Sequence, residues 1–392
     1  MIILKENETK DFNSEAEMLE YVEDRKKYDK WYDTFISDMQ LITCENDDTE
    51  NFKRKYNIPL KPEKIEKCIK DTNMFLVFYT EINGEKKRGV APLRDTALPT
   101  ILNRAEISGF SMLNEEVKPG IDRLTLKQKC EIINNCLKLY KLPAKVLYTD
   151  ERVGSVMSGK YSIILDSDIV MSASETVRNI FDEVKYVKGS ASHRHFQSVY
   201  EIVNKELQED IALAINDAGG AVNDVKVHFS VYSNNIGTSG IHLFLYTVID
   251  NAPLFLGMPK SVKHLGNNGT KEIDKQLKKL CAAFEENAEA LKKLPETVIY
   301  HPAGCLRKIG KEFHLPRKII MELAEELELK AETTAYEIYW YLNEAARRYE
   351  AANNDMKRIL VIQSAVAETL TINYKKFDKE FEWARGENVD EM

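Results

Sequence analysis

The spacing of apolar residues changes near residue 270, and this change limits the folds that the chain can adopt. Before it, aromatic and β-branched runs such as residues 74–80 and 241–249 predict strands. After it, apolar residues recur every three or four positions, which predicts helices. We therefore expect an α+β protein with a mixed α/β central domain and a helical carboxyl-terminal third. The first long helix would bury Ile273, Leu277, Leu280, Phe284, Ala288 and Leu291.

The chain of 392 residues is longer than a single core usually requires, so we expect more than one domain. The pattern predicts an acidic helical segment at residues 1–72, an α/β core domain at 73–265 and a helical domain at 266–392. Local signals within these regions predict helices at 14–40, 125–140 and 199–207, a strand at 161–165, and a hairpin turn at Asn83-Gly84.

Several protein classes are excluded by composition. The chain lacks the run of about 18 apolar residues that a membrane span requires, and its apolar start is too short for a signal peptide. Its six cysteines show no CxxC spacing, which favours free thiols in a reducing cytosol. The glycines at 266 and 269 are too close together for a phosphate-binding P-loop. We therefore expect a cytoplasmic protein with no cofactor and no membrane partner.

Negative charge is concentrated at the start of the chain. Residues 1–50 hold 15 acidic and 6 basic side chains, whereas the other 342 residues hold 48 and 49. The net charge of −8 therefore comes from the front segment, and the rest of the chain is close to neutral. Overall charge thus neither favours nor opposes binding to nucleic acid.

A pair of carboxylates, Asp166 and Asp168, follows the expected strand at 161–165. Two acids at a strand end can hold a divalent metal ion, as in some transferases. A polar turn that closes the strand is the alternative interpretation.

The tetrapeptide Ser192-His193-Arg194-His195 is the densest histidine cluster of the chain. In a strand its two histidines would face the same side, as a metal ion or a phosphate requires. Lys188, Arg194 and His195 are accordingly candidates for contact with a polyanion, and a solvated loop is the alternative.

The strongest local basic concentration lies within residues 307–318. Several cations in a small area hold phosphates better than scattered ones. Two short helices with solvated ends are the alternative interpretation. The candidate nucleic-acid ligands of this cluster are Arg307, Lys308, Lys311, His314, Arg317 and Lys318.

An aromatic cluster on the helix that follows, from Tyr336 to Tyr349, can stack bases beside a basic patch. At helical spacing such residues more often form a core or a subunit contact, so we also consider a homo-oligomer.

Three segments carry a family resemblance. They are Ala-Leu-Pro-Thr-Ile-Leu at 97–102 leading to Ile-Ser-Gly-Phe at 107–110, Tyr-Ser-Ile-Ile-Leu-Asp-Ser-Asp at 161–168, and Ser-Asn-Asn-Ile-Gly at 233–237. Together these resemble the phage/plasmid-like proteins, a family of unknown function from bacteriophages and conjugative plasmids. The resemblance covers about residues 95–260. It implies a mobile-element protein that works on the element's DNA or against host defence.

Three functions remain open at this point. The first is a non-catalytic phage or plasmid accessory protein that binds nucleic acid, such as a single-stranded DNA binding or annealing factor. The second is a protein–protein effector, such as an inhibitor of a host defence complex or a virion accessory protein. The third is a divalent-metal-dependent enzyme that uses Asp166 and Asp168. The chain has no complete catalytic motif, which favours a protein that is not an enzyme.

Overall fold

Antiparallel strands supply every sheet that the structure describes. The computed structural model describes residues 9–45, 48–107, 116–118, 121–192, 195–233, 240–264, 269–353 and 356–383. In chain order the strands are β1 (Lys10–Phe12), β2 (Lys30–Phe35), β3 (Gln40–Ile42), β4 (Phe75–Ile82), β5 (Glu85–Pro92), β6 (Glu116–Lys118), β7 (Ile121–Asp122), β8 (Pro143–Thr149), β9 (Arg152–Ser158), β10 (Val184–Ala191), β11 (Phe196–Ile202), β12 (Val225–Ser233), β13 (Ile241–Ile249), β14 (Ala252–Phe255), β15 (Lys260–Val262), β16 (Val298–Ile299) and β17 (Thr333–Thr334).

Helices separate these strands and dominate the end of the chain, so the α+β class is confirmed. They are α1 (Glu15–Lys26), α2 (Thr49–Tyr56), α3 (Pro62–Asp71), α4 (Ala97–Arg104), α5 (Leu126–Leu137), α6 (Asp166–Ile180), α7 (Lys205–Asp217), α8 (Thr270–Ala282), α9 (Phe284–Lys293), α10 (Pro302–Glu312), α11 (Arg317–Leu327), α12 (Ala335–Ala352) and α13 (Met356–Glu368).

The largest sheet has seven strands in the order β1-β10-β11-β12-β13-β14, and β15 also pairs with β13. Side chains alternate between its two faces, because the side-chain period of a strand is two residues. One face carries apolar side chains such as Phe229 and Leu245, which are fully buried. These belong to one apolar cluster that also includes Leu306 on α10 and Leu342 on α12. The sheet and the carboxyl-terminal helices therefore share a core.

A second unit is built from the first half of the chain. Strands β2, β8 and β9 form one three-stranded sheet, and β3, β4 and β5 form another. Leu76 on β4 and Val146 on β8 are fully buried in a core that the two sheets share with α4 and α5. Helices α2 and α3 cover the other face of β4 in a smaller core.

The helix that the sequence predicts at residues 14–40 forms only in part. Helix α1 occupies residues 15–26, and Ser14 accepts a hydrogen bond from the Glu17 backbone N–H as expected. The flanking residues, however, form β1, β2 and β3, which pair with β10, β8 and β4. Each partner strand is distant along the chain, so the short-range pattern could not reveal the pairing.

Two further local predictions are corrected and two are confirmed. Residues 199–207 are divided between β11 and α7, and residues 161–165 form no strand, since α6 begins at Asp166. The hairpin turn is confirmed, with positive φ at Asn83 and Gly84. The helix expected at 125–140 is α5, which Thr125 and Gln128 begin with a capping box.

All six cysteines have free thiols, as the sequence predicts. Among the described helices, none combines the length and the apolar character that crossing a membrane would require.

A buried amide holds the second unit together, and its removal is a test of this packing. The side chain of Asn134 on α5 accepts a hydrogen bond from Leu41 N at 2.7 Å and donates one to Leu41 O at 2.8 Å. Because Asn134→Ala leaves both backbone groups of β3 buried without partners, we expect a loss of about 2–4 kcal/mol of unfolding free energy. Urea denaturation followed by circular dichroism measures this loss. The neighbouring Asn135 is exposed. Asn135→Ala should change stability by less than about 0.5 kcal/mol, and equal effects of the two substitutions would contradict the assignment.

Candidate functional site

The basic residues at 307–318 lie on two helices that cross at close range. Helix α10 begins with Pro302 at its first turn and ends at Glu312, and α11 begins at Arg317. A Cβ atom at Gly310 would lie only 2.8 Å from the side chain of Ile320, so this glycine allows the two helices to pack. His314 makes the turn between them with a φ of 52°.

The structure separates the six predicted cations into different roles. Arg307 is largely buried and forms an ion pair with Glu328, so it stabilises the contact between α10 and the end of α11. Arg317 lies 5.5 Å from the centre of the Trp383 ring. Lys311, His314 and Lys318 are exposed. The cluster is therefore partly structural and partly available to a ligand.

The carboxyl-terminal segment lies directly across α10, which the sequence did not reveal. Asp378 accepts hydrogen bonds from the backbone N–H groups of Tyr300 and His301, where α10 begins. A Cβ atom at Gly304 would lie 2.2 Å from the backbone oxygen of Lys379, so the segment touches the helix backbone. Trp383 is buried. The tail therefore packs against α10 as far as Trp383, and residues 384–392 lie outside the described part of the chain.

This arrangement places aromatic rings and lysines side by side. Lys308 Nζ lies 5.9 Å from the centre of the Phe377 ring, and Lys311 Nζ lies 5.9 Å from the centre of the Phe381 ring. A side-chain hydrogen bond with Lys379 and, to a smaller extent, the positive charge of that residue lower the pKa of Lys308 below its ordinary value. We call Lys308, Lys311, Phe377, Lys379 and Phe381 the carboxyl-terminal basic surface.

The second predicted contact lies elsewhere, on the β10–β11 hairpin of the central sheet. Lys188 is exposed on β10. His195 precedes β11, and its ring stacks on Tyr232 with centroids 5.3 Å apart. Arg194 and His193 lie outside the described residues. Lys188 and His195 therefore belong to a different part of the fold from α10 and α11.

Two histidines, one buried and one half-buried, lie on the same face of the sheet as Tyr232. His228 on β12 and His242 on β13 each have an Nε2 atom with no hydrogen-bond partner. Burial is the main cause that lowers the pKa of both to about 4, and for His228 the positive charges of Lys226 and Lys188 contribute to this lowering. Both rings are therefore neutral near pH 7, and they pack among aromatic side chains such as Tyr246 and Phe244.

The two acids proposed as metal ligands diverge. Asp166 and Asp168 occupy the first turn of α6 and not a strand end, and residues two apart on a helix point about 200° apart. Asp166 lines a small cavity with Arg25, whereas Asp168 lines a groove with Asp274. Among the described residues, no group of three or more His, Cys, Asp or Glu side chains is placed to hold a metal ion.

A second basic patch lies on the amino-terminal unit and was missed in the sequence analysis. The last turn of α2 carries Lys53, Arg54 and Lys55, and β5 carries Lys86, Lys87 and Arg88. Arg88 Nη1 donates a hydrogen bond to Tyr56 O at 2.6 Å, which joins the two segments. The short basic runs at 53–55 and 86–88 were the available signal, but nothing in the sequence indicated that they meet.

The tail contact can be tested with one added methyl group. Since Gly304→Ala would place a Cβ atom against the Lys379 carbonyl, it should displace the tail and destabilise the protein by about 1–3 kcal/mol. Trypsin should then cut more rapidly after Lys375, Lys376 or Lys379, and Trp383 emission should shift to the red. Gly269→Ala, where a Cβ meets nothing within 4 Å, is the control. Unchanged cleavage in Gly304→Ala would contradict the contact.

The lowered pKa values of His228 and His242 predict a loss of stability in acid. Their pKa is lower in the folded protein, at about 4, than the unfolded value of about 6.5, so the stability that they contribute is present above pH 6.5 and is lost as the pH falls towards 4. Between pH 7 and pH 5 the decrease in unfolding free energy should be smaller in His228→Phe/His242→Phe by about 1–3 kcal/mol. Urea midpoints at the two pH values measure it. His301→Gln, at an exposed position, should retain the full decrease.

Comparison of the chain with protein-family models, with curated proteins and with solved structures gave no match.

Proposed function

We propose that this protein binds nucleic acid through the carboxyl-terminal basic surface and performs no chemistry of its own. The observation that carries the proposal is the juxtaposition of Lys308 and Lys379 beside two aromatic rings. Like charges in contact raise the energy of the unbound protein, and a phosphate placed between them would relieve the repulsion. The resemblance to phage/plasmid-like proteins supports an accessory protein of a mobile element.

The aromatic rings favour a single-stranded ligand. Phe377 and Phe381 are only half-buried, so part of each ring is accessible. Unpaired bases can stack on such rings, while lysines beside them bind the phosphates. Bases within a duplex are already stacked and cannot use the rings in this way. Single-stranded DNA or RNA is therefore the proposed ligand.

Exposed lysines around the surface extend it. Lys311, Lys318, Lys375 and Lys376 are exposed. The acids near them are Glu312, Asp378, Glu380 and Glu382, of which Asp378 is bound to the backbone N–H groups of Tyr300 and His301. A strand of several nucleotides could thus contact more than one lysine. Such multiple contacts would make affinity depend steeply on salt, since each phosphate contact releases a counterion.

Fluorescence anisotropy with a labelled single-stranded oligonucleotide, repeated across salt concentrations, tests the proposal. In Lys308→Glu/Lys311→Glu/Lys379→Glu, affinity at low salt should fall by at least about tenfold. The slope of log K against log salt should also become shallower by about 2, which corresponds to about 0.7 for each lost phosphate contact. The same oligonucleotide in duplex form should bind more weakly to the wild-type protein.

A matched control changes net charge equally at a different place. Lys138, Lys141 and Lys160 are exposed and form no ion pair within the described residues. Lys138→Glu/Lys141→Glu/Lys160→Glu should keep most of the affinity and the full salt slope. Equal losses in the two triple variants, or no binding by wild-type protein at low salt, would reject the carboxyl-terminal basic surface as the site.

A further inference from the structure

A large cleft lies between helix α7 and the carboxyl-terminal helices α9 and α12. Its volume is about 1390 Å³. The end of α7 and the following Gly219-Gly220 form one wall, and α12 with the β16–β17 pair forms the other. Pockets for small molecules usually have volumes of about 300–1,000 Å³, so this cleft suits a longer ligand.

The cleft is strongly acidic. Its only lysines among the lining residues are Lys292 and Lys330, and both are already paired: Lys292 with Asp210 at 3.3 Å and with Glu289 at 2.5 Å, and Lys330 with Glu337. The lining carboxylates outnumber these lysines by six to two, and they are Asp210, Asp217, Asp250, Glu296, Glu332 and Glu337.

Three of these carboxylates have no internal function that the described residues reveal. Asp217, Glu296 and Glu332 are exposed and form no hydrogen bond or ion pair with any other described side chain. Asp217 is also the last residue of α7, where the partial negative charge of the helix end disfavours an acid. Carboxylates without a partner in the fold favour a cationic ligand, which would balance their charge.

The wall formed by α12 is aromatic. Tyr336 and Trp340 are one helical turn apart and line the cleft with Tyr341. The Arg347 guanidinium lies 5.3 Å from the centre of the Trp340 ring, so this indole already receives a cation. On the opposite wall Leu213 is 59% exposed, and Val298 on β16, in the same wall as α12, is 39% exposed. Apolar contacts are thus available between the carboxylates.

We propose that this cleft binds an extended, positively charged segment of a partner protein, in which lysine or arginine residues alternate with apolar ones. The basic side chains would pair with Asp217, Glu296 and Glu332, and the apolar ones would contact Leu213, Val298 and the Trp340 ring. The cleft lining carries six carboxylates and two lysines, and this net negative charge excludes nucleic acid as the occupant of the cleft. The site is distinct from the carboxyl-terminal basic surface and does not depend on it.

The test uses the full-length protein and a fluorescein-labelled peptide of alternating arginine and leucine. Its counterpart, with glutamate in place of arginine, measures non-specific binding. We expect anisotropy to rise with the arginine peptide alone, and saturating peptide to change the emission of Trp340. In Asp217→Asn/Glu296→Gln/Glu332→Gln the dissociation constant should rise by about tenfold, from the loss of three charge pairs.

A control with the same net charge distinguishes a site from general attraction. Glu20, Glu66 and Glu131 are exposed and unpaired within the described residues, and they lie outside the cleft. Glu20→Gln/Glu66→Gln/Glu131→Gln should bind the arginine peptide as the wild type does. Equal weakening in both triple variants, no binding at low salt, or equally tight competition by spermine, a polycation without apolar side chains, would each overturn the proposal. Unchanged oligonucleotide affinity in the cleft variant at about 0.1 M salt, where charges more than about 10 Å apart are screened, would show that the two sites are separate.

Discussion

Helix α12 is bonded to the edge strand of the central sheet by polar side chains, and both candidate surfaces depend on this junction. Tyr339 donates its hydroxyl hydrogen to Phe255 O, Asn343 accepts from Phe255 N at 3.0 Å, and Arg347 donates to Pro253 O at 2.8 Å. These bonds satisfy backbone groups of β14 that an edge strand would otherwise leave unpaired. Because Tyr339 and Asn343 are fully buried, the junction fixes the orientation of the helix. Its outer side then forms the aromatic wall of the cleft, and its other neighbours are α10 and α11.

The elements that the sequence predicted correctly are those that local chemistry specifies. The capping box of Thr125 and Gln128 marks the start of α5, and Asn83 with Gly84 accepts the positive φ of a hairpin turn. The predictions of secondary structure that were wrong have a different cause. Strand β2 is defined by pairing with β8, more than 100 residues away, and β11 is defined by its position between β10 and β12. No window of a few residues contains that information, so residues 14–40 and 199–207 were predicted as helix.

The candidate surfaces also combine residues that the local sequence reveals with residues that only the fold brings together. Lys308 and Lys311 are recognisable in the sequence because they belong to a basic run, but their significance depends on Lys379, which the tail brings back across Gly304. In the same way the sequence alone suggests that Arg307 is available to a ligand, whereas the structure pairs it with Glu328. The cleft is less visible still, since its walls come from four separated stretches of the chain between residues 210 and 341. When a surface is assembled from distant segments, its residues show no regular spacing in the sequence, so the sequence analysis could not detect it.

Net charge is a poor guide to what such a molecule binds. At an ionic strength of about 0.1 M, charges more than about 10 Å apart are largely screened from each other, so a ligand responds to its nearest cluster and not to the total of −8. The lysines on and beside α10 can then attract a phosphate chain while the carboxylates between α7 and α12 attract a basic segment. At about 0.01 M salt the screening length rises to about 30 Å, and the acidic cleft begins to oppose a polyanion at the basic surface. The preference of each surface for its own ligand is therefore expressed most clearly near physiological salt, where short-range contacts determine binding.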